Sequence, residues 1–225
     1  MPTVLVTGAN RGIGLELARQ YAADGWTVLA TCRDPGNAPE LAATAGDVAL
    51  HRLDVDDPDS VEALGTALKG RPVDVLFNNA GINIRSASIG AIDYDGWAKT
   101  MQTNVFGPIR VAWALKDNVL ASRAKVMAFT SSKMGSIAEN GGGSVMYRSS
   151  KTALNMAVDC LAKELGPQGA IAVLFHPGHV RTDMGGPSAP VTAADSAAGM
   201  RKVIAGLTPQ DNGAFRNYDG TPLPW

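Results

Sequence analysis

The 225-residue chain is long enough for one domain with a substantial core. Its 20 Lys and Arg against 21 Asp and Glu leave a net charge of −1, which argues against an electrostatic grip on nucleic acid or an anionic membrane. No apolar run approaches the roughly 18 residues of a membrane span, strand-like sequence from Thr3 leaves no room for a signal peptide, and two cysteines, Cys32 and Cys160, make no disulfide framework and fit a reducing cytoplasm.

Short β-rich runs alternate with helical stretches along the whole sequence. The first strand, Thr3–Val6, enters Thr7-Gly8-Ala9-Asn10-Arg11-Gly12-Ile13-Gly14 and a helix over Ile13–Ala23. A strand, a glycine-rich turn and a helix in that order form a phosphate-binding loop. Gly8 permits the turn, Gly12 lets the backbone approach a pyrophosphate, Gly14 allows close helix packing, and the helix start offers free N–H groups. The second strand, Thr27–Thr31, ends in Cys32-Arg33-Asp34. An acid at this place suits the ribose 2′-hydroxyl of NAD and an arginine the 2′-phosphate of NADP. Both occur, but Arg33 comes first and Arg11 can add a second charge, so NADP(H) is expected over NAD(H).

The third strand, Val48–Leu53, is followed by Asp54-Val55 and a helix over Pro58–Lys69. Asp54 can accept a hydrogen bond from an adenine amino group, or it can be a loop or capping aspartate. After the fourth strand, Val73–Phe77, the small and amide residues Asn78-Asn79-Ala80-Gly81 suit close backbone approach to a nucleotide and a tie between strands. A helix over Tyr94–Leu115 carries Asn104 four residues before Pro108. Proline cannot donate to the Asn104 carbonyl, so a kink is expected there, with a carbonyl free to hold water. The fifth strand, Lys125–Thr130, delivers Ser131 and Ser132. The helix over Tyr147–Leu165 opens with Tyr147 and Lys151, four apart and hence on one face; a cation there should lower the phenol pKa and make Tyr147 a general acid/base. Strands over Ile171–Phe175 and Ala214–Asn217 flank a helix over Thr192–Ala205. The alternation implies one α/β domain, a Rossmann-type doubly wound parallel sheet of about seven strands. The apolar sectors of Tyr94–Leu115 and Tyr147–Leu165 exceed the stripe a surface helix needs. They either pack deeply on the sheet or form the contact of a homo-oligomer, a dimer or tetramer.

On Thr7–Gly14, Asp54-Val55, Asn78–Gly81, Asn104, Ser132, Tyr147/Lys151 and Pro177-Gly178-His179-Val180-Arg181-Thr182, the chain resembles the short-chain dehydrogenase/reductase family over essentially its whole length. Within it the chain is most similar to the C-factor and sniffer-type carbonyl reductases, through the segments after Ser132 and Tyr147, His176–Gly186 and the ending Asn217–Trp225. The resemblance implies an NADPH-dependent reduction of a ketone or aldehyde, or its reversal, on a small-molecule substrate. It makes Tyr147 the acid/base and Ser132 the holder of the substrate oxygen. Lys151 would bind the nicotinamide ribose, Asn104 a relay water, and Val180 and Thr182, with Pro177 and Gly178, the nicotinamide end. The C-factor likeness also leaves open a dinucleotide-binding signalling protein that needs no turnover. Ser132 and Tyr147 are 15 residues apart, more than the family's usual interval, with Glu139–Ser144 to absorb the excess and Ser131 and Ser136 as substitutes. Ile84, Arg85, Met134, Ile137, Asn140, His179 and Met184 are the expected substrate-lining residues, a mostly apolar set, under a short cover at about 183–195. No His/Cys cluster has metal-ligand spacing.

Overall fold

Strands that are apolar on both sides need helices on both faces, and the computed structural model, which describes residues 1–85 and 88–225, has that arrangement. In chain order the elements are β1 (Thr3–Thr7), α1 (Gly12–Ala23), β2 (Thr27–Cys32), α2 (Pro39–Ala42), β3 (Val48–Arg52), α3 (Pro58–Ala67), β4 (Val75–Asn78), α4 (Tyr94–Met101), α5 (Gly107–Ala114), α6 (Lys116–Leu120), β5 (Val126–Thr130), α7 (Val145–Leu165), β6 (Ile171–His176), α8 (Ala193–Ala205) and β7 (Phe215–Asn217). The seven strands form one sheet in the order β3-β2-β1-β4-β5-β6-β7, every pair parallel. The order reverses between β1 and β4, the switch point at which doubly wound sheets bind ligands beyond their carboxyl ends.

Side chains alternate between the two faces. Val4 and Val6 of β1 join Val28, Phe77 and Phe175 under Leu17 and Ala18 of α1 and Ala197 and Met200 of α8. Leu5 joins Leu29, Leu76 and Met127 on the other face, under Leu64 of α3, Val111 of α5, and Leu154 and Val158 of α7. Among the described residues no helix is long and apolar enough to cross a membrane.

The expected helix over Tyr94–Leu115 is not continuous. A π-helical turn, Gln102–Phe106, separates α4 from α5, and the Gly107 N–H reaches back to the Gln102 carbonyl. Pro108 removes the donor that Asn104 would have bonded in an α-helix, and the wider turn absorbs the defect. Gly107 lies where a Cβ would stand 3.0 Å from Val55, so the widened turn also brings the helix down on the segment after β3. The fourth strand starts at Val75, because the Val73 N–H is taken by the Asn118 carbonyl of α6.

Candidate active site

A cleft of about 1030 Å³ runs along the carboxyl ends of the strands, from the turn after β1 to the start of α7. At its first end Gly8 has φ +65°, a conformation side chains rarely adopt, and a Cβ on Gly14 would lie 2.2 Å from the Gly8 carbonyl oxygen. The loop can therefore lie this tightly on α1 only with glycine at 14, and Gly14 acts through that packing rather than by lining the cleft, which Gly8, Asn10, Arg11, Gly12 and Ile13 do. The loop is tied to β4. The Thr7 hydroxyl accepts the N–H groups of Asn79 and Ala80, both at 3.0 Å, and the Asn79 amide donates to the Thr7 carbonyl at 3.1 Å. Ala80 and Gly81 line the cleft beside it.

Past the ends of β2 and β3 the lining includes Arg33, Asp54 and Val55, whereas Asp34 is turned away. Glu40 also borders this end, paired with Arg19 at 3.4 Å. Arg11 and Arg33 both line the cleft, and Arg11 pairs with Asp183 at 2.8 Å across its mouth. That partner lies 172 residues away in sequence and is supplied by the short turn Thr182–Gly186, closed by the Gly186 N–H on the Thr182 carbonyl at 2.8 Å. Pro177, Gly178, His179, Val180, Thr182 and Met184 line the same stretch. Val180 is fixed by a bridge to Val191, so the cover that was expected over 183–195 returns to the body by Val191.

The other end of the cleft holds Ser132, Tyr147 and Lys151. Lys151 is 4% exposed and its ammonium donates to the Thr130 carbonyl at 2.8 Å, with Nζ 5.7 Å from the Tyr147 ring centre. The Ser132 hydroxyl accepts the Met134 N–H at 3.1 Å and is close enough to the Tyr147 phenol to pull its pKa down. The expected lowering of the phenol by Lys151 is not what this geometry produces. Burial pushes Tyr147 up to about 12, against the pull of the Ser132 hydroxyl, and burial brings Lys151 down to about 8. The ammonium's hydrogen bond goes to a strand carbonyl rather than to the phenol oxygen, and burial is the larger influence on the phenol.

Asn104 sits in the π-turn, fully buried. Its amide is wholly engaged: Oδ1 accepts the Ile82 N–H at 2.9 Å, and Nδ2 donates to the Ile82 carbonyl at 2.9 Å and to Ser150 at 3.0 Å. This side chain holds the segment after β4 against α7. The two substitute serines are placed differently from Ser132, although Ser131 also lines the cleft. Ser131 donates to Asn155 at 2.5 Å, and Ser136 is buried outside the cleft, where it accepts the Glu139 N–H at 3.2 Å.

Of the expected substrate residues, Met134, His179, Met184 and Arg85 line the cleft, whereas Ile84, Ile137 and Asn140 do not. Ile84 lies against Gly96 at the start of α4. Ile137 and Asn140 are turned out because the 133–144 loop is pinned. Lys133 pairs with Glu139 at 2.5 Å, the Ala138 N–H donates to the Trp225 carbonyl at 3.0 Å, and Arg148 donates to the Gly142 carbonyl at 2.9 Å. The Trp225 ring in turn rests on Phe215, ring centres 5.7 Å apart. The wall this leaves is more polar than expected, with Lys133, Glu139, Arg148 and His176 in it. None of these four was singled out as site-forming, since only the strand and loop pairing brings them to one place. Among the described residues no group of His, Cys, Asp and Glu could hold a metal ion.

Residues 2–191 match the short chain dehydrogenase family. The chain is 45% identical over 166 residues to C-signal of Myxococcus xanthus, a stretch that covers 73% of this chain and all of that protein. It superposes on the carbonyl reductase Sniffer of D. melanogaster with a TM-score of 0.92 at 37% identity, over all of both chains. It also superposes on the NADPH-bound carbonyl reductase from chicken fatty liver with a TM-score of 0.91 at 33% identity, over 100% of this chain and 99% of that one.

The buried ammonium has a measurable signature. Folded Lys151 loses its proton near 8, whereas its ordinary value is 10.5; between the two the unfolded chain binds the extra proton, so stability rises with pH across that window. Tyr147 acts in the opposite sense above about pH 10, where the folded phenol keeps a proton the unfolded one has lost. Between about pH 7.5 and 9.5, Lys151 should contribute a rise of roughly 2 kcal/mol. Denaturant titrations should show it in the parent protein and not in Lys151→Met.

Proposed function

The chain belongs to the short-chain dehydrogenase family, and we propose that it is an NADPH-dependent reductase of ketones or aldehydes, able to run in reverse on the alcohol. The observation that carries this reading is the meeting of Ser132, Tyr147 and Lys151 at one end of a cleft whose other end is a glycine cradle. The cradle, which Cβ atoms would fill, the free amides at the start of α1 and the Arg33 side chain suit a phosphorylated dinucleotide. When bound, that cofactor supplies the hydride. Gly8, Asn10, Arg11, Gly12 and Ile13 would hold its pyrophosphate, Asp54 and Val55 its adenine, Asn79, Ala80 and Gly81 its adjoining ribose, and Pro177, Gly178, Val180 and Thr182 its nicotinamide end. The position of Arg33 in the cleft wall, with Asp34 outside it, supports the 2′-phosphate.

Ser132 holds the substrate oxygen by a hydrogen bond, and Tyr147 donates its proton to that oxygen as the carbon is reduced. The phenol carries its proton at neutral pH, so the donor is in place when the carbonyl arrives. Lys151 would hold the nicotinamide ribose, and its ammonium, 5.7 Å from the Tyr147 ring, would favour the phenolate that donation leaves. The main-chain carbonyl of Asn104, freed by the π-turn, holds the water through which Tyr147 is reprotonated. A free thiol at Cys32 beside the cleft fits a cytoplasmic setting. The likeness to C-signal favours a second reading, a dinucleotide-binding signalling protein in which turnover is dispensable.

Three outcomes follow from these assignments. Arg33→Ala should weaken NADPH binding by about ten- to a hundredfold, the worth of one charge-assisted contact, and leave NADH binding nearly as it was; equal affinity of the parent protein for the two cofactors, measured by fluorescence titration, would remove the NADP preference. Tyr147→Phe should lower carbonyl-dependent NADPH consumption by about 10²–10⁴-fold with little change in NADPH affinity, and Ser132→Ala should lower it while Ser136→Ala does not. Undiminished turnover in Tyr147→Phe would favour the signalling reading. Finally, Tyr94, Phe106, Trp113 and Met156 are 72%, 50%, 49% and 64% exposed on α4, the π-turn, α5 and α7, an apolar surface that suits a homo-oligomer; sedimentation at micromolar concentration should give a dimer or tetramer, and a monomer mass would refute it.

A further inference from the structure

The chemistry proposed above uses Ser132, Tyr147 and Lys151, yet one further titratable side chain in the same wall has no task. His176 is the last residue of β6, opposite Asn217 of β7, and the preceding carbonyl, that of Phe175, accepts the Ser131 N–H at 2.7 Å. The His176 carbonyl is itself held by the Tyr218 N–H at 2.8 Å. Backbone bonds on both sides thus fix His176 at the strand end next to the Ser131 segment, and it lines the cleft with Ser132, Lys133, Glu139 and Tyr147. Its Nδ1 is buried and has no hydrogen-bond partner, so Nε2 is the ring nitrogen that an occupant of the cleft can meet.

Nδ1 is shut away behind the ring, and Nε2, which has no protein hydrogen bond among the described residues, is left to a ligand or water in the cleft. Two observations say what kind of ligand. Burial, with the charge of Lys133 and of His179 adding to it, holds the ring neutral, its pKa brought down to about 4 against the opposing influence of Glu139. Lys133 and Glu139 face the ring as a closed ion pair at 2.5 Å, and the His179 Nε2 is committed to the Gly185 carbonyl at 2.9 Å. The charges that act on the ring are thus paired or committed, and Arg148 on the same wall is bonded to the Gly142 and Gly143 carbonyls, so the ring itself offers a hydrogen bond, not a charge, which suits a neutral polar group.

We propose that His176 is a specificity-determining residue, whose Nε2 hydrogen-bonds a neutral hydroxyl or carbonyl on the carbon next to the reacting carbonyl of the substrate. Carbonyl compounds with an adjacent oxygen function are then the preferred class, and plain ketones of equal size are turned over less well. The assignment rests on the reductase reading given above.

The test uses three substrates of similar shape: 2-hydroxyacetophenone, propiophenone, in which a methyl replaces the hydroxyl, and benzoylformate, which places a carboxylate there. A site built to bond a substrate hydroxyl discriminates strongly against the analogue that lacks it. His176→Leu should reduce the ratio of kcat/KM for the hydroxyketone over propiophenone by about tenfold, the worth of one hydrogen bond to a neutral group. His176→Gln, whose amide nitrogen reaches the place of Nε2, should restore most of that ratio, and His176→Asn should not. Melting temperature and NADPH affinity are measured for each variant, so that misfolding is recognised. A ratio unmoved in His176→Leu would overturn the assignment, as would rescue by Asn in place of Gln. So would a preference for benzoylformate that falls with Lys133→Met and not with His176→Leu, since the wall would then be an anion site. If the parent protein consumed NADPH with none of the three, the reductase reading would fall and this assignment with it; consumption that depends on Tyr147 but not on His176 would remove the assignment alone.

Discussion

The hydrogen bond from the Lys151 ammonium to the Thr130 carbonyl joins α7 to the end of β5, and the site is assembled around it. A charged group at 4% exposure is tolerated only with strong partners, and a strand carbonyl at 2.8 Å is one that the sheet cannot move. Because the strand is rigid, the first turns of α7 are placed to within the length of that bond, and Tyr147 is placed with them. Ser132, two residues beyond Thr130, is positioned by the same strand end. Ser132 and Tyr147, the two groups proposed to share the substrate oxygen, are thus referenced to one carbonyl.

A second set of bonds holds the cradle to the catalytic end. Thr7 and Asn79 fasten the turn after β1 to the end of β4, and Asn104 fastens the residues just after β4 to α7. The buried amide of Asn104 makes all the hydrogen bonds the geometry allows it, which is why the π-turn is affordable: the ladder is broken at one carbonyl and the side chain of the same residue ties the neighbouring elements together. Defect and tie lie at one position.

Much of this was legible from local pattern. Runs such as Val4–Val6 and Val173–Phe175 mark strands buried on both faces, and the glycines at 8, 12 and 14 mark the turn, because both follow from sequence neighbours alone. Tyr147 and Lys151 were legible for the same reason, four apart on a helix. What could not be seen depends on distant partners. Nothing near Arg11 announces Asp183, and nothing in Ile137 or Asn140 shows that Trp225 and Glu139 hold their loop facing outward. Likewise the effect of Lys151 on the phenol hinged on where the ammonium points, which is set by a carbonyl 21 residues away. The break at Gln102–Phe106 was half visible, since Pro108 signals a lost bond but not whether the helix bends or widens.

The contact between Ala138 and Trp225 has a practical side. Met1 is 86% exposed and leads into the amino end of β1, on the edge of a parallel sheet opposite the cleft. Trp225 lies instead against the 133–144 loop, its ring on Phe215 and its carbonyl bonded to that loop, and Lys133, Met134 and Glu139 of the loop line the cleft. An affinity tag joined after Trp225 would crowd this loop, whereas one placed ahead of Met1 would hang from the opposite end of the sheet. Kinetic constants obtained from the two fusions are therefore not interchangeable, and a substrate screen run on the first would survey a pocket that the tag has altered.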